Sequence, residues 1–346
     1  MGGALFTEKR LTAEEYKEFS QEVLEKLSKT GKPLYIPDTF KNKDSFGDLD
    51  ILTTLPKITD EQLINIFGIA KKDIKHNSSV ISFGYKGFQV DLCHFSLDHY
   101  STAKNYYRQS DCSNMIGVMT YYGAGYRFTH RGLEFPVKLS PEDSLGSIVV
   151  STNQESIFEF FNLDFQKWKD GFDEPEDLFK WLASSDYFDP EYFKFENLNH
   201  QNRTRNKKRG TYSMFVEYLE ANKDTIRPGK LANRYSAQQW VNRGLLHFYK
   251  ESGMWYDKVH TLIEQRYIFD TARKVFSGND IKELTQLEGK ELGDVIVAFK
   301  RYFLDTFCLL EDQYHEKLAS MNKSAVTAMF LHFYSNFQLT NPSKNV

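Results

Sequence analysis

The sequence of 346 residues has few cysteines and no long apolar run. Its cysteines, Cys93, Cys112 and Cys308, lie far apart and outside any C-x-x-C or cysteine–histidine spacing, so neither a disulfide framework nor a zinc site is indicated. No run approaches the roughly 18 apolar residues that span a bilayer, and MGGALFTEKR lacks a signal-peptide core. We therefore expect a cytoplasmic protein without a membrane partner.

The sequence also lacks an excess of either charge. Its 44 Lys and Arg residues face 47 Asp and Glu residues, for a formal charge of −3. A nucleic-acid partner would therefore have to be met by a local basic patch. The sequence shows no internal repeat and no low-complexity tract, and 40% apolar residues suffice for sizeable cores in two domains.

The first part of the chain alternates helix-like and strand-like segments. Thr12 and Glu15 form a capping-box pattern, which predicts a helix over Ala13–Ser28. Residues 84–87 have the composition of a hairpin turn. Strands are predicted over 34–36, 48–53, 80–85 and 88–95, with a helix over 60–67. These segments together indicate a mixed sheet with helices.

The second part of the chain is helical in almost every segment beyond Asn153. Helices are predicted there over 158–168, 178–183, 212–219, 238–249, 256–276, 292–314 and 325–337, and one more helix is predicted earlier, over 101–122. The fold class is therefore predicted as α+β. A mixed-sheet domain over residues 1–152 is followed by an all-α domain over residues 153–346.

The stretch SFGDLDIL places two carboxylates inside an apolar run. Because strand side chains alternate between faces, Asp48 and Asp50 share one face and Leu49 and Ile51 share the other. Two carboxylates on one face repel each other unless a cation lies between them. Mg²⁺ prefers hard oxygen ligands and is often held by one or two carboxylates together with substrate phosphates.

A third carboxylate occurs in the stretch FQVDLCH, where Asp91 is flanked by Val90 and Leu92. Two-metal phosphoryl chemistry needs a further ligand of this kind from a neighbouring strand. The alternative is that residues 47–48 form a turn, with Asp50 solvated and Asp91 an unrelated strand residue. A lone D-x-D favours that alternative, whereas the third carboxylate in the same pattern favours a metal site.

These residues resemble the nucleotidyltransferase superfamily of DNA polymerase β. The family pattern is a helix, a strand, a Gly-Ser loop, a G-D-x-D strand and a third Asp on a later strand, and the likeness covers roughly residues 12–135. The resemblance implies that Asp48 and Asp50 bind two Mg²⁺ ions, or Mn²⁺, and that Asp91 assists the ion that activates the attacking hydroxyl. It also implies an NTP or dNTP as partner.

A later segment, YYRQSDCSN over residues 106–114, resembles the family-X polymerase segment that holds the sugar and base of the nucleotide. The resemblance assigns Asp111 and Asn114 to that contact, and it assigns Gly47 and Lys41 to the nucleotide as well. The sequence departs from the family at Gln109, where the family has glycine, and at residues 37–38, where Pro-Asp replaces Gly-Ser. Proline has no amide to donate, and an aspartate repels phosphate unless it faces away or reaches a metal.

A basic segment follows in the helical part. Its cations are Arg203, Arg205, Lys207, Lys208 and Arg209. Such a cluster can neutralise backbone phosphates without specifying sequence, although a solvated basic loop is the alternative. Further on, the stretch GKELG over residues 289–293 resembles a helix start in tRNA CCA-adding enzymes and poly(A) polymerases.

The expected function is metal-dependent transfer of a nucleoside monophosphate to a nucleic-acid hydroxyl, with release of pyrophosphate. RNA is favoured over DNA, with tRNA among the candidates. Two alternatives stay open at this point. One is transfer to a protein or a small molecule, and the other is a catalytically silent relative that binds nucleic acid.

Overall fold

The computed structural model describes residues 5–109, 112–140, 143–234, 237–249 and 255–340. The strands are β1 (Leu11–Thr12), β2 (Ser45–Phe46), β3 (Asp48–Thr54), β4 (Ile74–Asn77), β5 (Val80–Tyr85), β6 (Phe88–Phe95), β7 (Arg127–Thr129), β8 (Gly132–Lys138) and β9 (Ser144–Ser151). The structure is mixed α+β, with a mixed sheet in the N-terminal part and helices in the C-terminal part, as the sequence predicts.

The helices of the N-terminal and central parts are α1 (Ala13–Ser28), α2 (Asp60–Phe67), α3 (Leu97–Tyr106), α4 (Ser113–Ala124), α5 (Gln154–Phe160), α6 (Phe165–Asp170), α7 (Pro175–Ala183), α8 (His200–Asn206), α9 (Gly210–Ala221) and α10 (Ala237–His247). Those of the C-terminal part are α11 (Trp255–Val275), α12 (Gly278–Thr285), α13 (Gly289–Phe307), α14 (Tyr314–Ala319) and α15 (Lys323–Thr340). Short 3₁₀ helices cover Lys71–Asp73, Pro190–Phe193, Phe195–Asn197 and Glu311–Gln313. No helix in the described part of the chain combines the length and apolar character that a membrane span requires.

Helix α1 has the predicted bounds because its N-terminus is capped as the sequence indicates. The Thr12 hydroxyl accepts a hydrogen bond from the amide of Glu15, and the Glu15 carboxylate accepts one from the amide of Thr12. This reciprocal pair satisfies two backbone donors that a helix start otherwise leaves without partners. The capping box therefore stabilises the first turn of the helix.

The central sheet has the strand order β3-β6-β5-β4. Strands β3 and β6 run parallel, whereas β5 is antiparallel to both of its neighbours. The predicted strand over 34–36 is not formed. Only Tyr35 pairs, in an isolated bridge with Leu52. Pro33 and Pro37 flank that segment, and proline cannot donate to a ladder of strand hydrogen bonds.

One face of this sheet forms the main core. Leu49, Ile51, Val90 and Leu92 are fully buried in a cluster that helices α1 and α2 complete. These four side chains are the strand positions that alternate with the carboxylates. Burial of this face therefore directs Asp48, Asp50 and Asp91 to the opposite face.

Three helices predicted as continuous are broken. Gln109, Asn162 and Cys308 lie at or beside the breaks, and each has a positive φ of 51° to 58°. A residue in the left-handed region cannot continue a right-handed helix. None of the three residues is glycine, and the apolar periodicity continues across each break. The sequence pattern therefore does not indicate the breaks.

The chain divides into two compact units. The first comprises Met1–Val137 and Ser147–Trp255, and the second comprises Lys138–Gly146 and Tyr256–Val346. The core of the second unit is aromatic and helical, and it includes Phe299 and Phe330. The compact unit that carries the carboxylates thus includes helical segments beyond residue 152, and a domain boundary at 152/153 stays a prediction.

A separate three-stranded sheet, with the order β7-β8-β9, contains a buried carboxylate. The Glu134 side chain is 2% exposed and accepts hydrogen bonds from Thr129, Arg131 and Ser147. Burial would raise the pKa of Glu134, but these hydrogen bonds and the Arg131 charge outweigh it and lower the pKa below its ordinary value of 4.5. The ionised form therefore stabilises the fold.

We expect Glu134→Gln to reduce the free energy of unfolding at pH 7 by about 1–3 kcal/mol, because buried donors lose a charged acceptor. Because the folded pKa is lowered, this stabilisation is present above the unfolded value and is lost as the pH falls through the folded value. The difference between wild type and variant should therefore shrink below about pH 4.5 in urea titrations. Glu217→Gln, at an exposed position, is the control. A difference that persists unchanged at low pH would contradict this account.

Candidate active site

The predicted carboxylates share one face of the central sheet. In the parallel pair of β3 and β6, Asp50 lies opposite Asp91 and Asp48 lies opposite Gln89. Neighbouring strands are about 4.8 Å apart, so residues in register place their side chains next to each other. Asp50 is exposed, whereas Asp48 and Asp91 are half-buried. The structure therefore places on one face of the sheet the three residues that the sequence singled out.

The far end of the same face is apolar and covered. Leu52, Cys93 and Phe95 continue β3 and β6 beyond the carboxylates and form a small buried cluster with Ala103 of α3. This packing uses the apolar end of the face. The end with the carboxylates is the part that keeps exposed surface, because Asp50 remains accessible there.

The Asp91 carboxylate is held by a neighbour on its own strand. Gln89 Nε2 lies 3.0 Å from Asp91 Oδ1 and 2.9 Å from Oδ2, and donates to the carboxylate. Gln89 itself is only 6% exposed. In the sequence, Gln89 is marked only by its position two residues before Asp91, which places both side chains on the same face of the strand.

Residues 5–8, here called the N-terminal clasp, lie against the start of β6. The backbone N–H of Leu5 donates to the side-chain oxygen Oε1 of Gln89 at 3.0 Å. The backbone N–H of Gln89 donates to the Thr7 hydroxyl oxygen at 3.1 Å. The Thr7 hydroxyl in turn donates to the carbonyl oxygen of Gly47 at 2.6 Å. Gly47, which the resemblance assigned to the nucleotide, is therefore buried and its carbonyl is engaged by the clasp.

Helix α1 brings a tyrosine near the carboxylates. The Tyr16 ring stacks on Phe46, with ring centroids 3.9 Å apart. Burial, followed by the negative charges of Asp50 and Asp48, raises the pKa of Tyr16. The phenol is therefore protonated at neutral pH.

The donor set fits a hard divalent cation, because carboxylate oxygens are the ligands that Mg²⁺ prefers. Among the described residues, however, no group of three or more His, Cys, Asp or Glu side chains is already close enough to hold a metal ion. Both oxygens of Asp91 are engaged by Gln89. The three residues thus share a face of the sheet without converging on one point.

The charge of Asp38, in the loop where the family has Gly-Ser, is compensated. Its carboxylate accepts hydrogen bonds from the Tyr35 hydroxyl, at 3.0 Å, and from the guanidinium of Arg108. Arg108 also donates to the carbonyl oxygen of Lys169. Arg108 was not identified from the sequence, where nothing marked it as the partner of a residue 70 positions earlier.

The same loop contacts the segment before α7. The Lys41 amide donates to the carbonyl oxygen of Phe172, and Lys41 Nζ lies 3.1 Å from a carboxylate oxygen of Asp173. Both side chains of this ion pair are more than half exposed. An exposed pair of this kind contributes little to stability, so separating Lys41 from Asp173 requires little free energy.

The polymerase-like segment is only partly described. Asp111 lies outside the described residues. Gln109 is buried and has a φ of +58°. Glycine adopts this conformation readily, so the backbone at residue 109 suits the glycine that the family has at this position. Asn114 donates from Nδ2 to Oδ1 of Asn206, a buried residue of α8. The structure therefore joins Asn114 to the basic segment.

The cations of the basic segment differ in exposure. Arg203 donates to the carbonyl oxygens of Phe195, Glu196 and Leu198, and so fixes the start of α8 to the preceding turn. Arg205, Lys207 and Lys208 are exposed, and Arg209 is half-buried. Arg203 thus has a structural role, whereas Arg205, Lys207 and Lys208 are accessible to solvent.

A comparison with protein-family models found no match, and a comparison with curated proteins found no significant match either.

Proposed function

We propose that this protein is a metal-dependent nucleotidyltransferase that transfers a nucleoside monophosphate from an NTP or dNTP to a hydroxyl of RNA, with tRNA among the candidates. The observation that carries the proposal is the register of β3 and β6, which places Asp50 beside Asp91 with Asp48 on the same face. Like charges in adjacent positions destabilise a sheet. A chemical role for the three carboxylates explains why the chain has them together.

The chain contributes charge and position to the reaction. Asp48, Asp50 and Asp91 would hold two Mg²⁺ ions, which when bound supply charge neutralisation and a lowered pKa of the acceptor hydroxyl. Lys41 exchanges Asp173 for a phosphate oxygen of the nucleotide. The Arg108 guanidinium keeps Asp38 from repelling that phosphate. Positioning and electrostatic stabilisation are the main protein contributions to phosphoryl transfer.

The basic segment supports a nucleic-acid acceptor. Three exposed cations lie on or next to α8, which is anchored by Arg203 and by the hydrogen bond between Asn206 and Asn114. Phosphate contacts made by Lys and Arg fix the position of a protein on a nucleic acid, and the exposed cations on and next to α8 suit that role. The GKELG stretch supports RNA less directly. Helix α13 does begin at Gly289, but Leu292 and Val295 pack in the helical core of the second unit.

A second candidate is transfer to a protein or a small molecule. It is favoured by the structural role of Arg203, which removes one cation from the segment that would bind RNA. A catalytically silent relative is the third candidate, and the lack of a converged group of ligands in the described residues favours it. Two experiments separate these candidates from the main proposal.

The first experiment tests for transfer. We expect the wild type, with Mg²⁺ or Mn²⁺, to transfer label from at least one α-labelled NTP or dNTP to RNA, DNA or a lysate acceptor. Asp50→Ala should lose the activity by more than about 100-fold, because it removes a carboxylate from the proposed centre. Asp257→Asn, which neutralises an exposed carboxylate in the second unit, should retain it. If wild type and Asp50→Ala are equally inactive toward every acceptor, the main proposal fails and the catalytically silent relative is favoured.

The second experiment tests the acceptor. Replacing Arg205, Lys207 and Lys208 with Gln should weaken RNA binding and reduce the slope of log affinity against log salt by about 2, because each phosphate that is no longer neutralised accounts for roughly 0.7. Arg203 is left intact because it stabilises α8. The matched control neutralises exposed Lys71, Lys72 and Lys75. An active enzyme whose RNA affinity is equal in both triple variants would favour a protein or small-molecule acceptor.

A further inference from the structure

We propose that Gln89 is a positioning residue for Asp91 and that the N-terminal clasp, residues 5–8, holds Gln89 in place, so that the clasp adjusts the affinity of the carboxylate face for a divalent cation. This inference rests on the proposed function. It goes beyond that function because it gives a role in the site to a segment more than 80 residues away in sequence.

The side-chain amide of Gln89 contacts the Asp91 carboxylate. One amide nitrogen lies at nearly equal distances from both carboxylate oxygens, 3.0 and 2.9 Å. Such a contact restricts the rotation of the carboxylate and uses the lone pairs that face Gln89. The remaining lone pairs are available to a cation, so the amide limits the directions from which Asp91 can bind one.

The side-chain amide of Gln89 also contacts the backbone N–H of Leu5. An amide side chain can present either oxygen or nitrogen to a neighbour. Gln89 Oε1 accepts a hydrogen bond from the backbone N–H of Leu5 at 3.0 Å. The side-chain nitrogen Nε2 of Gln89 is therefore the atom that faces Asp91. Gln89 is nearly buried, and removal of either partner would leave a polar atom without a hydrogen bond in a dry environment. The Leu5 amide therefore stabilises the orientation that holds Asp91.

The N-terminal clasp is held by several further contacts. Thr7 bridges the amide of Gln89 and the carbonyl oxygen of Gly47, the residue directly before Asp48. The Glu8 amide donates to the carbonyl oxygen of Gly87 at 2.9 Å. Phe6 lies against Gly84, where an added Cβ would come within 3.1 Å of the Phe6 side chain. The clasp is thus hydrogen-bonded to β6 and to the residue directly before β3.

A small energetic change in the clasp is consequently transmitted to Asp91 through two hydrogen bonds, from Leu5 to Gln89 and from Gln89 to Asp91. Partners that hydrogen-bond a metal-ligating carboxylate orient it, and their removal typically lowers metal affinity about 10–100-fold. A purely structural role for Gln89 would instead change thermal stability and leave the affinity of the folded protein for a cation unchanged.

The test measures Mn²⁺ affinity by the electron paramagnetic resonance signal of free Mn²⁺, for the wild-type chain, Gln89→Ala, Leu5→Pro and Leu5→Ala. Leu5→Pro removes the backbone N–H that Gln89 accepts, whereas Leu5→Ala keeps it and truncates a side chain that is 59% exposed. We expect Gln89→Ala to bind Mn²⁺ about 10–100-fold more weakly. Leu5→Pro should also bind more weakly, and Leu5→Ala should match wild type. Thermal unfolding shows that each variant is folded at the assay temperature.

Each other outcome overturns a defined part of the account. If wild type binds Mn²⁺ and Gln89→Ala binds it equally or more tightly, Gln89 is not a positioning residue. If Gln89→Ala is weakened but Leu5→Pro equals Leu5→Ala, Gln89 acts without the clasp. If wild type itself binds no Mn²⁺, the proposed metal site fails, and this inference fails with it.

Discussion

The parallel pairing of β3 with β6 is the constraint on which the candidate site depends. A strand shifted by one residue would turn every side chain to the other face. Here the shift is prevented by Leu49, Ile51, Val90 and Leu92, which are fully buried on the core face. The same burial that stabilises the sheet therefore directs the carboxylates to the face opposite the core. Their position follows from apolar packing, and it needs no attraction among the carboxylates themselves.

Local patterns were sufficient for the parts of the fold that local interactions determine. The capping box at Thr12 defined α1, and the alternation of apolar and acidic residues defined β3 and β6. Asp91 was identified because it repeats the pattern around Asp50. The helix breaks at Gln109 and Asn162 were missed because neither residue is glycine. At Gln109 the backbone N–H donates to the distant carbonyl oxygen of Asp38, which no local pattern reveals. At Asn162 the left-handed backbone is one that asparagine tolerates.

The contacts that shape the site are of a kind that one sequence does not reveal. Arg108 meets Asp38 across 70 residues, and Leu5 meets Gln89 across 84. No local periodicity links such pairs, because they are brought together only when the sheet has formed. The first contact compensates a feature that looked unfavourable in the sequence, because the guanidinium neutralises the aspartate of the loop at residues 37–38. The second contact fixes the orientation of the buried Gln89 side-chain amide, which holds the Asp91 carboxylate.

The central claim is that the carboxylate face binds a divalent cation, and thermal unfolding with and without Mg²⁺ tests it most directly. In a chelator, the melting temperatures of wild type, Asp50→Asn and Asp257→Asn provide the reference values. Excess Mg²⁺ should raise the melting temperature of wild type and of Asp257→Asn, and leave Asp50→Asn unchanged, because only a competent site gains binding free energy. An equal rise in wild type and Asp50→Asn, or no rise in wild type, would contradict the claim.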